Sequence, residues 1–146
     1  MRRQQDFARQ VDLFIRDFRK KADAYARFYT EEAGHYLVDA TPGPLIVPGR
    51  TPPPTPYYKR TGKLRGGWYV RINSSENLPS LPVDPTGQFT KALISGATKK
   101  VQWGSKVEIV NNVFYGYWVD QGTFKFEGRN MLGRTLVYVQ SLKPEI

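Results

Sequence analysis

Residues 2–38 contain no proline and repeat their apolar side chains in steps of three and four. Phe7, Val11, Phe14, Ile15, Phe18, Ala22, Tyr25, Ala26, Tyr29 and Ala33 share one face of a helix at that spacing. At 1.5 Å per residue the helix is on the order of 50 Å long, against about 30 Å for the diameter of a small domain. That is long for a domain of this size. Part of it is expected to pack on the body and part to face a neighbouring subunit; the plainer alternative is a core-packing helix with a solvated face. Asp12 with Arg16, Asp17 with Lys21, and Asp23 with Arg27 stand as acid-before-base pairs at i, i+4, each contributing a few tenths of a kcal/mol. Gly34 is a candidate break or kink near the end.

The pattern stops at residue 39. Seven of the eleven prolines lie between Thr41 and Pro56. Proline removes backbone donors and favours extended chain, so residues 39–58 read as a proline-rich loop or arm, with a brief edge strand at Leu45, Ile46 and Val47. In a ring-forming protein such an arm can lie on the next subunit; otherwise it is a surface loop.

Shorter elements follow. Thr61 and Gly62 read as a turn leading through Leu64 into a strand, with Trp68, Val70 and Ile72 on one face and Tyr69 and Arg71 on the other. Gly66 and Gly67 mark a bulge or a close backbone approach. Residues 73–86 form a second loop. Residues 89–95 and 99–103 read as short strands, and residues 105–111 as a strand that ends at Asn111 and Asn112. Val113, Phe114, Tyr115, Tyr117, Trp118 and Val119 then crowd large side chains into seven positions, enough to anchor a core at roughly 25 cal/mol per Å2 buried. Gly116 allows close approach, and Gly122 fits a turn with positive φ, flanked by Asp120 and Thr123 as bonding partners for its backbone. Phe124 and Phe126 alternate with Lys125 and Glu127 as on a hairpin arm. Asn130 is placed to cap a last helix running through Leu142, with Met131, Leu132, Thr135, Leu136 and Val139 on one face; Val137, Tyr138 and Val139 suit a strand equally. The order of elements gives an α+β fold: a long N-terminal helix on an antiparallel sheet, with a short C-terminal helix, in a single domain over residues 1–146.

Chemistry is sparse. The chain has no cysteine, which excludes disulfides and thiolate chemistry and suits a reducing cytoplasm. No run of eighteen apolar residues suggests a membrane span, and no secretory signal is evident at the N-terminus. His35 is the single histidine, and the carboxylates Asp39, Glu76, Asp84, Glu108, Asp120 and Glu127 are scattered. Neither a nucleophile-elbow nor a phosphate-loop motif occurs. No enzymatic activity, cofactor or metal is expected. The net charge of +9 points to phosphate-rich partners or an acidic protein surface. Between Ala40 and Ser75 there is no acidic residue, and Arg50, Lys59, Arg60, Lys63, Arg65 and Arg71 lie among Tyr57, Tyr58, Trp68 and Tyr69. Cations beside rings are what single-strand binders use, so a basic nucleic-acid-binding domain is one alternative. The aromatics are equally explained as core.

Two segments carry a family resemblance. Thr61, Gly62, Lys63, Leu64 and Arg65 come first; Asn112, Val113, Tyr115, Gly116, Val119, Asp120, Gly122 and Thr123 follow in an Asn-x-Val-x-Tyr-Gly-x-x-Val-Asp-x-Gly-Thr pattern. In that order they resemble the tail-completion (neck, head–tail joining) proteins of tailed bacteriophages. A long N-terminal helix and an apolar C-terminal segment fit the same family. The usual Pro-Phe-Leu before the last helix is replaced by Asn130, Met131 and Leu132. The resemblance implies a structural virion protein, assembled in the host cytoplasm, that forms a homo-oligomeric ring of six or a multiple of six around the DNA channel. It implies a head-side connector on one face, a tail terminator or tube protein on the other, non-specific contact with genomic DNA, and no membrane. A tail terminator that caps the tube is the alternative within the particle. Leu64, Trp68, Tyr115, Trp118 and Gly122 are expected to define the fold, and Arg50, Lys59, Arg60, Phe124 and Phe126 are the interface candidates.

Overall fold

The structure is a computed structural model, which describes residues 2–42, 62–76, 83–113, 116–123 and 126–144. The proline-rich arm, with Arg50, Lys59 and Arg60, and the side chains of Tyr115, Phe124 and Phe126 lie outside what it describes. The fold is α+β. A long N-terminal helix packs on a two-stranded antiparallel sheet, with a short C-terminal helix beside it.

Helix α1 spans Arg2–Ala40 without a break. Gly34, a candidate kink, does something else: it is buried, and a Cβ there would sit 2.6 Å from Ile94 Cγ2. The missing side chain lets α3 (Gln88–Thr98) approach α1. Two helical turns on, Thr41 is fully buried and donates its hydroxyl to Leu37 O at 2.6 Å. The same Oγ1 accepts the Trp68 indole N–H at 2.7 Å, which ties the end of α1 to the first strand.

Strand β1 (Trp68–Ile72) follows α2, a single turn at Lys63–Gly66 where the sequence suggests approach to a strand. It pairs antiparallel with β2 (Val107–Asn111), in a register that sets Val70 opposite Ile109 and Ile72 opposite Val107. Alternation sends Trp68 and Val70 into the core and leaves Arg71 opposite Glu108. The close backbone approach expected at the glycine pair is real: a Cβ on Gly67 would overlap the side chains of Asn111 and Val113. The core gathers Leu37 and Val38 of α1, Leu64, Trp68, Val70, Ile94, Val113, Val119 and Met131.

The strands expected at residues 89–95 and 99–103 are not strands. The first is helix α3 and the second an irregular segment. The buried positions of α3 are Thr90, Ile94 and Thr98, a helical step of four carried mostly by threonine and so weak as an apolar signal. Its first turn is held by Asp84, buried upstream, whose Oδ2 accepts the backbone N–H of Thr90 at 2.7 Å and its hydroxyl at 2.5 Å. Gly96, exposed in this helix, has nothing within 4 Å of a built Cβ. Gly96→Ala should therefore stabilise the protein by about 0.5–1 kcal/mol, since alanine loses less backbone entropy on helix formation. A thermal melt checks the sign; a lower midpoint would contradict the helix.

Beyond β2 the chain forms α4 (Gly116–Gln121), a small hairpin of β3 (Gly122–Thr123) with β4 (Phe126–Glu127), and α5 (Met131–Ser141). The hairpin expected at Phe124–Glu127 is described only as the pairing of β3 with β4, since residues 124 and 125 lie outside the described residues. Gly122 has φ +87, as its turn requires. The final segment is helix rather than strand, but its buried face is Met131 and Thr135, while Leu132 and Leu136 are exposed. Asn130 does not cap it: its φ is +48 and its side chain makes no capping bond. Asp120 does so instead, accepting Leu132 N–H on Oδ1 at 3.1 Å. The carboxylate expected to serve its own turn serves the helix after the hairpin.

Candidate functional site

The two segments that carry the resemblance are some fifty residues apart in the chain and meet in the structure. Leu64 is 2% exposed, and its carbonyl accepts Asn111 Nδ2–H at 2.7 Å. A Cβ on Gly116 would lie 3.3 Å from Leu64 Cδ1. Asn111 Oδ1 accepts Val113 N–H at 3.0 Å and so turns the chain out of β2 toward α4. Trp68 is 7% exposed, with its indole nitrogen bonded inward.

Trp118 is different. Expected as a fold-defining residue, it is 49% exposed, and Tyr117 is 72% exposed. The helical turn of α4 takes Val119 and Asp120 into the interior and leaves the two rings on the surface. Among the described residues, the crowded aromatic segment thus contributes Val113 and Val119 to the core and aromatics to the outside. Between β2, α4 and α5 runs an open groove of about 330 Å3, with Trp68, Val113 and Met131 at its base and Tyr117 and Leu132 at its rim. It is the concave apolar feature into which the motif side chains converge.

The basic segment is partly committed to the fold. Arg65 donates Nε–H to Thr41 O at 2.9 Å and Nη1–H to Pro85 O at 2.5 Å, clamping the end of α1 to the loop before α3. Arg71 donates to Glu108 Oε2 at 2.9 Å. That hydrogen bond, with the charge of the guanidinium and of Lys106, holds the Glu108 carboxyl below its ordinary value and raises Arg71. A carboxyl depressed on folding stabilises above its ordinary value of 4.5, and the contribution disappears as pH falls through the lower folded value. Glu108→Gln should therefore melt below the parent at pH 7 and converge with it below pH 4.5. Equal melting at both pH values would remove the pair from the account.

Among the described residues, His35 gathers groups that resemble catalytic chemistry. Its Nε2 lies 2.9 Å from Ser95 Oγ and 3.2 Å from Lys91 O, and Ser95 donates its hydroxyl to Glu31 Oε1 at 2.9 Å. Ser95 has one proton, and Glu31 holds it. His35 Nε2 therefore carries the hydrogen that reaches Ser95 and Lys91, so it is not a base toward that hydroxyl. The three groups clasp α1 to α3. The helix pair expected of Asp23 and Arg27 is likewise redirected: Asp23 Oδ1 accepts Trp103 N–H at 2.8 Å, and Arg27 donates to Val101 O at 2.9 Å. Among the described residues no group of three or more histidine or carboxylate side chains is placed to hold a metal, and no helix is long and apolar enough to cross a membrane.

The half of α1 that the body does not cover is the surface that sequence reasoning only half anticipated. All of residues 2–21 are exposed, with Phe7 at 68%, Phe14 at 70% and Phe18 at 58%. The first buried residue is Ala22. Compared with protein-family models, with curated proteins and with solved structures, the chain gives no match.

Proposed function

We propose that the chain is a structural protein of the neck of a tailed bacteriophage, where it completes the tail or joins it to the head as a ring around the DNA channel. One observation supports the reading: the two segments that resemble this family pack on each other, Leu64 against Gly116 and in one core with Val113 and Val119. Side chains used to hold two motifs together make a scaffold, and the chemistry of the groove they border is apolar and aromatic, as in a docking surface. The head-side connector and the tail terminator or tube are the partners this role requires. Nothing specific favours the nucleic-acid reading. Arg65 and Arg71 bond internally, and Trp68 is buried rather than offered to a base.

Gold-labelled antibody against the chain, applied to particles of the phage whose genome encodes it, tests the role. Label confined to the junction of head and tail is the expected result. Label at the far end of the tail, or particles that lack the protein, would overturn it.

A further inference from the structure

We infer that the free half of α1 is the ridge of a head-to-tail contact, and that it docks in the groove between β2, α4 and α5 of a second copy of this chain. The ridge is a continuation of a face already used. At 100° per residue, Phe7, Val11, Phe14, Ile15 and Phe18 occupy an arc of about 100°. Further along α1 the same arc holds Tyr29, Glu32 and Tyr36, and on the body α5 covers it. Tyr36 stacks on Tyr138 with ring centroids 4.5 Å apart, Tyr138 donates to Glu32 at 2.7 Å, and Tyr29 reaches Leu142 O. Past Leu142 the described residues leave the arc bare. Where it emerges, Phe18, Ala22 and the 67%-exposed Trp103 border an open cleft of about 450 Å3 that Arg19, Asp23 and Gln102 also line.

The area fits a protein partner. Aromatic side chains bury about 150–250 Å2 each. Three phenylalanines at 58–70% exposure therefore present roughly 400 Å2, and Val11 and Ile15 add to it. A standard interface buries about 800 Å2 per partner, a little over half of it apolar. The ridge thus provides the apolar share of one whole side. The matching side is on the same molecule, since the groove is concave and its rim residues Tyr117 and Leu132, with the neighbouring Leu136, are 72%, 53% and 59% exposed. Ridge on ridge, in a two-fold pair, would leave the groove bare. Ridge in groove covers both and makes a heterologous contact, the kind that closes rings. The contact does not depend on the neck reading, although a neck ring is what it would build.

The test uses the full chain, measured by light scattering over a range of concentrations. The ridge variant carries Phe7→Ser, Phe14→Ser and Phe18→Ser; the groove variant carries Leu132→Glu and Leu136→Glu. All five positions are exposed, so circular dichroism and the melting midpoint of each variant should stay near the parent's. The parent should self-associate, and each variant alone should do so at least tenfold more weakly. An equimolar mixture of the two variants should form a dimer and stop there, because only one junction in it is intact. A groove variant that associates like the parent would assign the ridge to a two-fold pair instead. A parent that stays monomeric would overturn the contact while leaving connector binding to its own test. So would a monomer that sediments with phosphatidylserine-containing vesicles in a phenylalanine-dependent way, since the ridge would then be a lipid-binding face.

Discussion

Leu64→Ala should lower stability by about 2–5 kcal/mol, the range for truncating a buried leucine where the surroundings relax only partly. The side chain is 2% exposed and belongs to the core that α1, β1 and α3 share. It stands on a one-turn helix, so its neighbours are fixed by long-range contacts and have little freedom to collapse into the space. Domains are stable by about 5–15 kcal/mol in total, so the loss is a large fraction of the whole. The melting midpoint should fall on the order of 10 °C. Urea unfolding gives the same quantity from a shifted midpoint at constant slope. A cost under about 1 kcal/mol would mean that the two motif segments are not packed on each other, and the functional reading would lose its support.

Gly62→Ala should cost about 3 kcal/mol or more, and Gly104→Ala only about 1–2. The two glycines have nearly the same backbone, φ +94 and φ +90. They differ in their surroundings. A Cβ on Gly104 meets nothing within 4 Å, so only the left-handed conformation is strained. At Gly62 the same atom would lie 2.6 Å from the backbone of Pro85 and 2.7 Å from that of Asp84. Backbone cannot rotate away as a side chain tip can. The segment would have to shift, and it carries Asp84, which caps α3, and Pro85 O, which Arg65 clamps. Gly62 O also accepts Asp84 N–H at 3.1 Å. Comparing the two alanine variants by denaturant midpoint separates strain from displacement. Equal losses would show that the approach of Gly62 to Pro85 is not tight.

These two residues also mark what was legible in the sequence. Thr61 and Gly62 announce a turn, and the positive φ of Gly62 agrees. That the turn is pressed against a loop more than twenty residues away has no local signature. The same division runs through the chain. The apolar period of α1 reads directly, as does the alternation of Trp68, Val70 and Ile72. Whether a helical face is covered does not: Phe14 and Phe18 stand four apart, as do Tyr25 and Tyr29, yet the phenylalanines are bare. Helix α3 was hidden because threonine fills two of its three buried positions, where a hydroxyl can bond a carbonyl or a carboxylate. Asn130 looks like a cap in sequence, but the distant Asp120 had already taken that bond. Trp118 was expected in the core on size alone, and one turn of helix sends it outward. The groove beside α4 joins residues from β1, β2, α4 and α5, so no contiguous pattern could reveal it.

Mass by light scattering, for the protein alone and then mixed with head connectors from the same source, tests the proposed neck role most directly. The expected result is a discrete complex heavier than the connector, with the copies of this chain in a fixed ratio to it. The contrary result is a protein that ignores connectors and binds duplex DNA with an affinity that falls steeply with salt.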